Sequence, residues 1–556
     1  MSLITCSNCL STWNLHFHKL TPLNLNFPAS TPHAPPAPSR LAFWFTLLTL
    51  LGLWPALSNG QPFFFADTTA YIRGADLAIS KALGNRFATD WAKDQRRAIE
   101  IQTSVTGSEL SAPEQKPAQR VVLAGRSIIY GALLYLGVLT GGMWFSIIVQ
   151  SLLAVYLVFL FTVRALRLDF RYFLISCVVL LLASPLPFCV SFLMPDVFAG
   201  FLILGFAILA AGWERLSNTE RAITSAVLLF AVLSHATHVI LLIALTALAA
   251  TYAGLRGRSQ WVRIRALVAI GAACALTAFL WEVAFFFGVN RALGTPPVRP
   301  PFVTAKLVAM LGEPAVSQVC ASNQFAVCKF QDRFPVDCES FIWSEDKRTG
   351  VFNAVDTRTK QALSKEQMRF AMAIIPPNLG RFVAGVSLDA LRQLADFGLG
   401  EYYYSPSGLA FFKDRLPNRD FERMTSTLAA RSDGYAAFGR TVIYVVTVPA
   451  AIITLLLFGG LFHSRMTLSA NQTEQKRIWC AATCILFAGI LLNAIICGGV
   501  SAPNSRYEAR VIWLIQLSLV TGVCVMGPQL RIPSSLKRVT HKNGQSPNLD
   551  CELKLT

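Results

Sequence analysis

The chain has 556 residues, of which 54% are hydrophobic and only 14% charged, with a mean hydropathy of +0.49; a soluble globular protein carries about 25% charged residues, so a bilayer is the solvent for much of this one. Its apolar residues fall in runs of about 17 to 25, long enough to cross roughly 30 Å of hydrocarbon as helices, and lack the short alternating segments of a transmembrane β-barrel. The formal charge of +18 is explained by Lys and Arg gathered at cytoplasmic helix ends, and with no binding motif beside it nucleic acid is not an expected partner.

Residues 1–40, rich in Pro, Ser and Thr, read as a disordered cytoplasmic tail. It holds a lone CxxC pair, Cys6 and Cys9, followed by His16 and His18, which is a weak zinc pattern without a second well-spaced pair. A transmembrane core follows over 41–287. Its first span runs from Leu41 to about Ser58, and a first outer loop covers 60–142. That loop contains FFFADTTAYIRGAD, a charged, Pro-bearing stretch, and an apolar piece at 121–141 that reads as a helix lying at the outer interface. Further spans are expected near 143–163, 172–190, 196–212 and 264–287. The run at 222–252 is too long for one crossing and is interrupted by Ser234, His235, Thr237 and His238, so it reads as a hairpin of two.

The polar interval 288–439 is long enough for a mainly helical extracytoplasmic domain. Its Cys320, Cys328 and Cys338 allow one disulfide whose partners the spacing does not decide. Three C-terminal spans, near 440–462, 478–499 and 509–527, lie within 440–527, and a basic cytoplasmic tail, 528–556, closes the chain. The expected fold class is therefore an all-α polytopic membrane protein with about ten transmembrane helices. With that number, the basic clusters at Arg164–Arg171, Arg215–Arg221, Arg256–Arg265, Arg465–Arg477 and Arg531–Lys542 all share the face of the N-terminus, which makes both termini cytoplasmic.

Acids at membrane level cost about 2.5 to 3.5 kcal/mol at mid-bilayer, so those that occur tend to have a task. Asp67 follows the first span and Asp196 sits in SFLMPDVFAG at the mouth of another. Both fall on the outer face, and the bland account of each is a helix N-cap. Arg506, Tyr507 and Arg510 stand at the outer mouth of the last span in SAPNSRYEARVIWL. They read either as snorkelling anchors with an aromatic-belt tyrosine or as a fork for a phosphate, which Arg73 and Arg126 would join. His235 and His238, three apart in SHATH, suit a metal or a proton shuttle but more often merely satisfy a polar turn. Glu282 and Trp281 are equally open. There is no Walker A sequence, nucleophile elbow, HExxH or dinucleotide fingerprint.

One span, then an outer loop opening on an Asp (Asp67 in ADTTAYIRGAD), then an interfacial helix (GRSIIYGALLYLG), then a second outer acid (Asp196 in MPDVFAG) together resemble the GT-C superfamily of membrane glycosyltransferases, over roughly residues 41–290. The stretch from FVTAKLVAMLGEPAVSQVC to FPVDCESFIWSED is also similar to uncharacterised bacterial polytopic membrane proteins. The GT-C resemblance implies a polyprenyl-phosphate-linked sugar donor, a glycan or lipid acceptor and an active site at the periplasmic face of a bacterial inner membrane. It implies that Asp67 is the catalytic base, or organises the acceptor and a divalent metal, that Asp196 is the second acid, and that Arg506 meets the lipid phosphate. The first loop departs from better-known members in having a single Asp instead of an acidic pair, and the outer domain is inserted before the last three spans instead of following them. A transporter or flippase for a lipid-linked or anionic solute is the alternative, although the sequence lacks internal repeats; a non-catalytic membrane scaffold is another.

Overall fold

The structure, a computed structural model, describes residues 37–91, 125–140, 142–463 and 470–526. The CxxC pair, most of both tails and the charged stretch of the first loop lie outside the described residues. Those described form helices and connecting turns, with one isolated bridge between Phe63 and Phe192 and no strand. The principal helices are α1 (Pro38–Gly52), α2 (Ala66–Leu83), α3 (Ile128–Thr140), α4 (Trp144–Phe159), α5 (Phe170–Ala183), α6 (Val197–Gly212), α7 (Asn218–Ser234) and α8 (Ala236–Arg256). They continue with α9 (Arg258–Leu293), α10 (Phe302–Ser322), α11 (Thr357–Ile374), α12 (Leu379–Ala395), α13 (Tyr444–His463), α14 (Ala470–Val500) and α15 (Ser505–Met526).

Among the described residues, seven helical stretches are long and apolar enough to cross a membrane: Trp144–Ala165, Val197–Arg215, Ala236–Arg256, Ile264–Ala292, Gly434–Gly459, Glu474–Val500 and Ser505–Met526. The other three expected crossings are helical but shorter, each for a local reason. α1 has 15 residues and ends at Leu53, where Pro55 opens a separate piece, Trp54–Asn59. α5 has 14 and stops at Ser184, next to Pro185. α7 has 17 and starts on the polar sequence NTER, where Ser217 and Glu220 form a reciprocal capping box. The expected hairpin at 234–238 is present: His235 ends α7 and caps α8. The apolar piece of the first loop is the 13-residue α3.

The polar interval does not pack as one body. Residues 298–374 gather their own core around Val308, Val316, Phe341, Phe352 and Phe370, whereas Phe397, Leu399, Tyr402, Tyr404, Met424 and Tyr435 join the core of the membrane helices. α11 and the following helix bend by 50° where Pro376 and Pro377 interrupt them. Cys320 pairs with Cys328 in a disulfide, and Cys338 is a free buried thiol; burial pushes that thiol up to about 11.

α6 and α15 are the most enclosed spans and lie side by side at the centre. Their approach depends on Gly200, where a Cβ would stand 2.8 Å from the Arg510 carbonyl oxygen and as close to the Trp513 indole nitrogen. At Gly131 a Cβ would stand 2.3 Å from the Tyr71 carbonyl, so α3 can rest on α2 only with glycine there. α6 also separates two electrostatic ends by about 24 Å, at 1.5 Å per residue. At one end Arg164 pairs with Glu220 (2.7 Å), Arg215 with Glu474 (3.0 Å), and Gln475 donates to the Arg167 carbonyl (3.2 Å). At the other end lies Asp196, at the residue before α6.

Candidate functional site

Two distant stretches are stitched together at the Asp196 end. Phe63 donates its N–H to the Ser191 carbonyl and accepts from Leu193 N–H, at 3.0 and 2.9 Å. Thr68 then uses one hydroxyl twice, accepting from Phe65 N–H and donating to the Leu193 carbonyl, each at 2.9 Å. Thr68 thus caps α2, and Asp67 is left free of that work at the second position of the helix, which corrects the N-cap account of it. Asp196 makes no capping bond either. Its Oδ1 instead faces Arg510 at 3.3 Å and Arg506 at 3.7 Å.

The two arginines differ in what they have left to offer. Arg510, 1% exposed, also donates to Asn493 Oδ1 at 2.9 Å and to Cys497 Sγ at 3.1 Å. It is a buried, nearly saturated group and not a snorkelling anchor. Arg506 lies flat over the Phe65 ring at 4.0 Å, with the Tyr507 ring at 5.1 Å. Although buried, its Nε and Nη1 donate no hydrogen bond. Arg126 closes the other side: it binds Asp67 Oδ1 at 2.5 Å and covers Trp343 at 5.9 Å. Burial by itself weakens the Arg126 charge, but Asp67 and Tyr71 outweigh it and hold the guanidinium above its ordinary range.

Tyr71 stands among these charges. Burial raises its hydroxyl above the ordinary tyrosine value, with Arg126 opposing, Asp67 and Asp196 adding, and Arg506 within the same reach. Asp67, Asp196, Arg126, Arg506, Arg510 and Tyr507 therefore form one cluster. Arg73, also expected at a phosphate fork, donates to the Arg415 carbonyl at 2.6 Å. Glu282 is ion-paired with Arg299 on an exposed part of the chain.

Native proteins leave few buried polar atoms without a partner, yet several occur here together: Arg506 Nε and Nη1, Arg510 Nε, Glu508 Oε1 and His238 Nε2. Unfilled donors together with unfilled acceptors suit a ligand that carries both an anionic group and hydroxyls. A cleft of about 460 Å³, lined by Asp396, Gly398, Gly400, Ala436, Arg440, Tyr444 and Ser505, opens one residue from Arg506. The loop between is held from α12, where Gln393 donates to the Asn504 carbonyl and accepts from Asn504 N–H, both at 2.9 Å. Asn504 Oδ1 in turn accepts from Arg506 N–H at 3.0 Å. Beside this clamp, α12 approaches α14 closely at Gly498, and Asp389 pairs with Lys306 at 2.8 Å.

A divalent metal does not fit this donor set. Both acids are occupied by guanidiniums, and among the described residues no three His, Cys, Asp or Glu side chains converge as ligands.

The sequence alone does not single out Tyr71, Asn493, Cys497 and Glu508, and it gives Phe65 only an interfacial role. Asn493 carried a usable signal, a polar group inside the apolar run ILLNAII, whereas Glu508 sits among the charges of SRYEAR and Phe65 and Tyr71 look like ordinary interfacial aromatics. Comparison of the chain with protein-family models, curated proteins and solved structures finds no match.

Proposed function

We propose that this protein is an integral membrane glycosyltransferase, GT-C-like in layout, that moves a sugar from a polyprenyl-phosphate donor to a glycan or lipid acceptor. In this reading it has about ten crossings, the Asp196 end faces the periplasm of a bacterial inner membrane, and both termini are cytoplasmic. The arginine-rich end at Arg164, Arg167 and Arg215 supports that orientation, since such residues collect on the cytoplasmic side.

The observation that carries the proposal is the Arg506 guanidinium, with two buried N–H groups unfilled, set within one cluster with Asp67 and Asp196. The Nη1 hydrogens suit an oxygen of a phosphate, while Nε faces Asp196. Asp196 is buried under two guanidiniums, so its part is to neutralise and aim them. Asp67 is the more open acid, its side chain 24% exposed, and is the group able to meet an acceptor hydroxyl. In the transfer, the acceptor oxygen forms a bond to the anomeric carbon while its proton passes to the Asp67 carboxylate. The bond from that carbon to the phosphate oxygen breaks, and the electron pair leaves on the phosphate, whose charge Arg506 stabilises.

The test is incubation of the purified protein, in lipid nanodiscs, with a panel of polyprenyl-phosphate sugars and glycan acceptors. Asp67→Asn abolishes transfer while the protein still unfolds cooperatively with at most a small drop in melting temperature, and Arg506→Lys weakens polyprenyl phosphate binding by at least tenfold because an ammonium lacks the planar guanidinium. Normal transfer by the Asp67→Asn protein removes that residue from the mechanism.

A further inference from the structure

The SHATH turn lies against the same cluster. Ser127, beside Arg126, donates its hydroxyl to the Leu233 carbonyl at 2.6 Å, which fixes the end of α7 next to the start of α3. The His235 ring is within electrostatic reach of Arg510, Arg126 and Arg506, and the His238 ring within reach of Arg510 and Asp196. The two ring centroids are 5.2 Å apart.

The backbone locks these two imidazoles in opposite tautomers. His235 caps α8: its Nδ1 accepts from Thr237 N–H at 3.3 Å and lies 2.8 Å from the Thr237 hydroxyl. A ring nitrogen that accepts an N–H carries no proton, so the proton of His235 is on Nε2. His238 is the reverse. Its Nδ1 lies 2.9 Å from the Ala231 carbonyl oxygen, which can only accept, so Nδ1 holds a proton, and in the neutral ring Nε2 is a bare lone pair. That lone pair is fully buried and has no partner.

We infer that His235 and His238 form a neutral donor–acceptor pair that binds sugar hydroxyls, with His235 Nε2–H donating to one oxygen and His238 Nε2 accepting a hydroxyl proton. The pair is a specificity-determining element and no metal site. It rests on the lipid-phosphate-sugar reading of the cluster, dividing the labour within it: Arg506 holds the phosphate and the histidines read the sugar. Leaving the His238 acceptor unpaired is costly, and a ligand hydroxyl removes that cost. A bare polyprenyl phosphate carries no sugar hydroxyl.

Asparagine separates the two roles of each ring, since its short amide replaces Nδ1 but does not reach the Nε2 position. Asn at 235 keeps a good helix cap, and Asn at 238 keeps a donor for the Ala231 carbonyl. Binding to the protein in nanodiscs is measured for two probes, polyprenyl phosphate and polyprenyl-phosphoryl hexoses (glucose, galactose and mannose in turn). His235→Asn and His238→Asn each weaken the bound hexose lipid on the order of tenfold and leave the bare phosphate within twofold. Equal loss for both probes, or loss for neither, overturns the assignment. If the parent protein binds neither probe, the lipid-phosphate reading fails and this one with it. Independently, imidazole ¹⁵N spectra of the parent, assigned with the same two variants, show His235 protonated on Nε2 and His238 on Nδ1; one shared tautomer, or a charged His238, overturns the pair.

Discussion

Asp196→Asn keeps the shape of the side chain and removes only its charge, which makes it a clean probe of what holds the cluster together. Asp196 is 6% exposed at the side chain, and its two arginines, Arg510 and Arg506, are 2% and 10% exposed. Removing one partner from a buried ion pair costs about 3 to 5 kcal/mol, because the remaining charge stays buried without compensation. Arg510 still has Asn493 and Cys497, so the expected loss is near the lower end, about 3 kcal/mol. The Asp67–Arg126 pair is about a quarter exposed on both sides, and the same substitution there costs about 1 kcal/mol or less. Equilibrium unfolding in mixed micelles therefore ranks Asp196→Asn well below Asp67→Asn in stability. A double-mutant cycle with Arg510→Met shows a coupling of about 1 to 3 kcal/mol. Equal unfolding midpoints for the two Asn variants, or zero coupling, would refute the view that Asp196 is the electrostatic keystone.

Gly200→Val forces a Cβ carrying two methyl groups into a gap where the Cβ alone already meets the Arg510 carbonyl at 2.8 Å. Overpacking of this kind costs about 1 to 3 kcal/mol, and the displaced α15 carries Arg510 with it; a thermal melt together with the polyprenyl phosphate titration should show both losses. Far from the cluster, Asp356 caps α11 by accepting from Arg358 N–H, Thr359 N–H and the Thr359 hydroxyl. These bonds hold its carboxyl below the usual value of 3.8. Its stabilisation is thus complete above that value and is lost as pH falls below it through the lowered one. Hydrogen exchange at Arg358 and Thr359 should accelerate only at such acidity, and Asp356→Ala should show fast exchange already at neutral pH.

Much of this architecture was legible because one rule, long apolar runs for spans, acts locally. The same rule overestimated the helical length of α1, α5 and α7: hydropathy sums tolerate a Pro or a capping box that the backbone does not. The charged side chains stood out for a related reason, since Asp67, Asp196, Arg126, Arg506 and Arg510 interrupt apolar surroundings at helix mouths. Their pairing was not legible. Which guanidinium meets which carboxylate is set by contacts more than 300 residues apart in sequence, Arg510 with Asp196, and by the close approach at Gly200. Arg73 shows the limit, as its residue type and position matched Arg126 while its partner is a backbone carbonyl. The split of 288–439 between two cores was hidden too, because aromatic residues such as Tyr402 and Tyr435 give no sign of which core they will enter.

The Gln393–Asn504 clamp gives Arg506 a tether to a remote part of the chain. Both backbone groups of Asn504 are held by one side-chain amide, and that amide rides on a helix pressed against α14 without a spacer at Gly498. Tension applied to α12, by anything that grips residues 298–374, is thus delivered to the residue just before the last helix, two positions ahead of the Arg506 guanidinium.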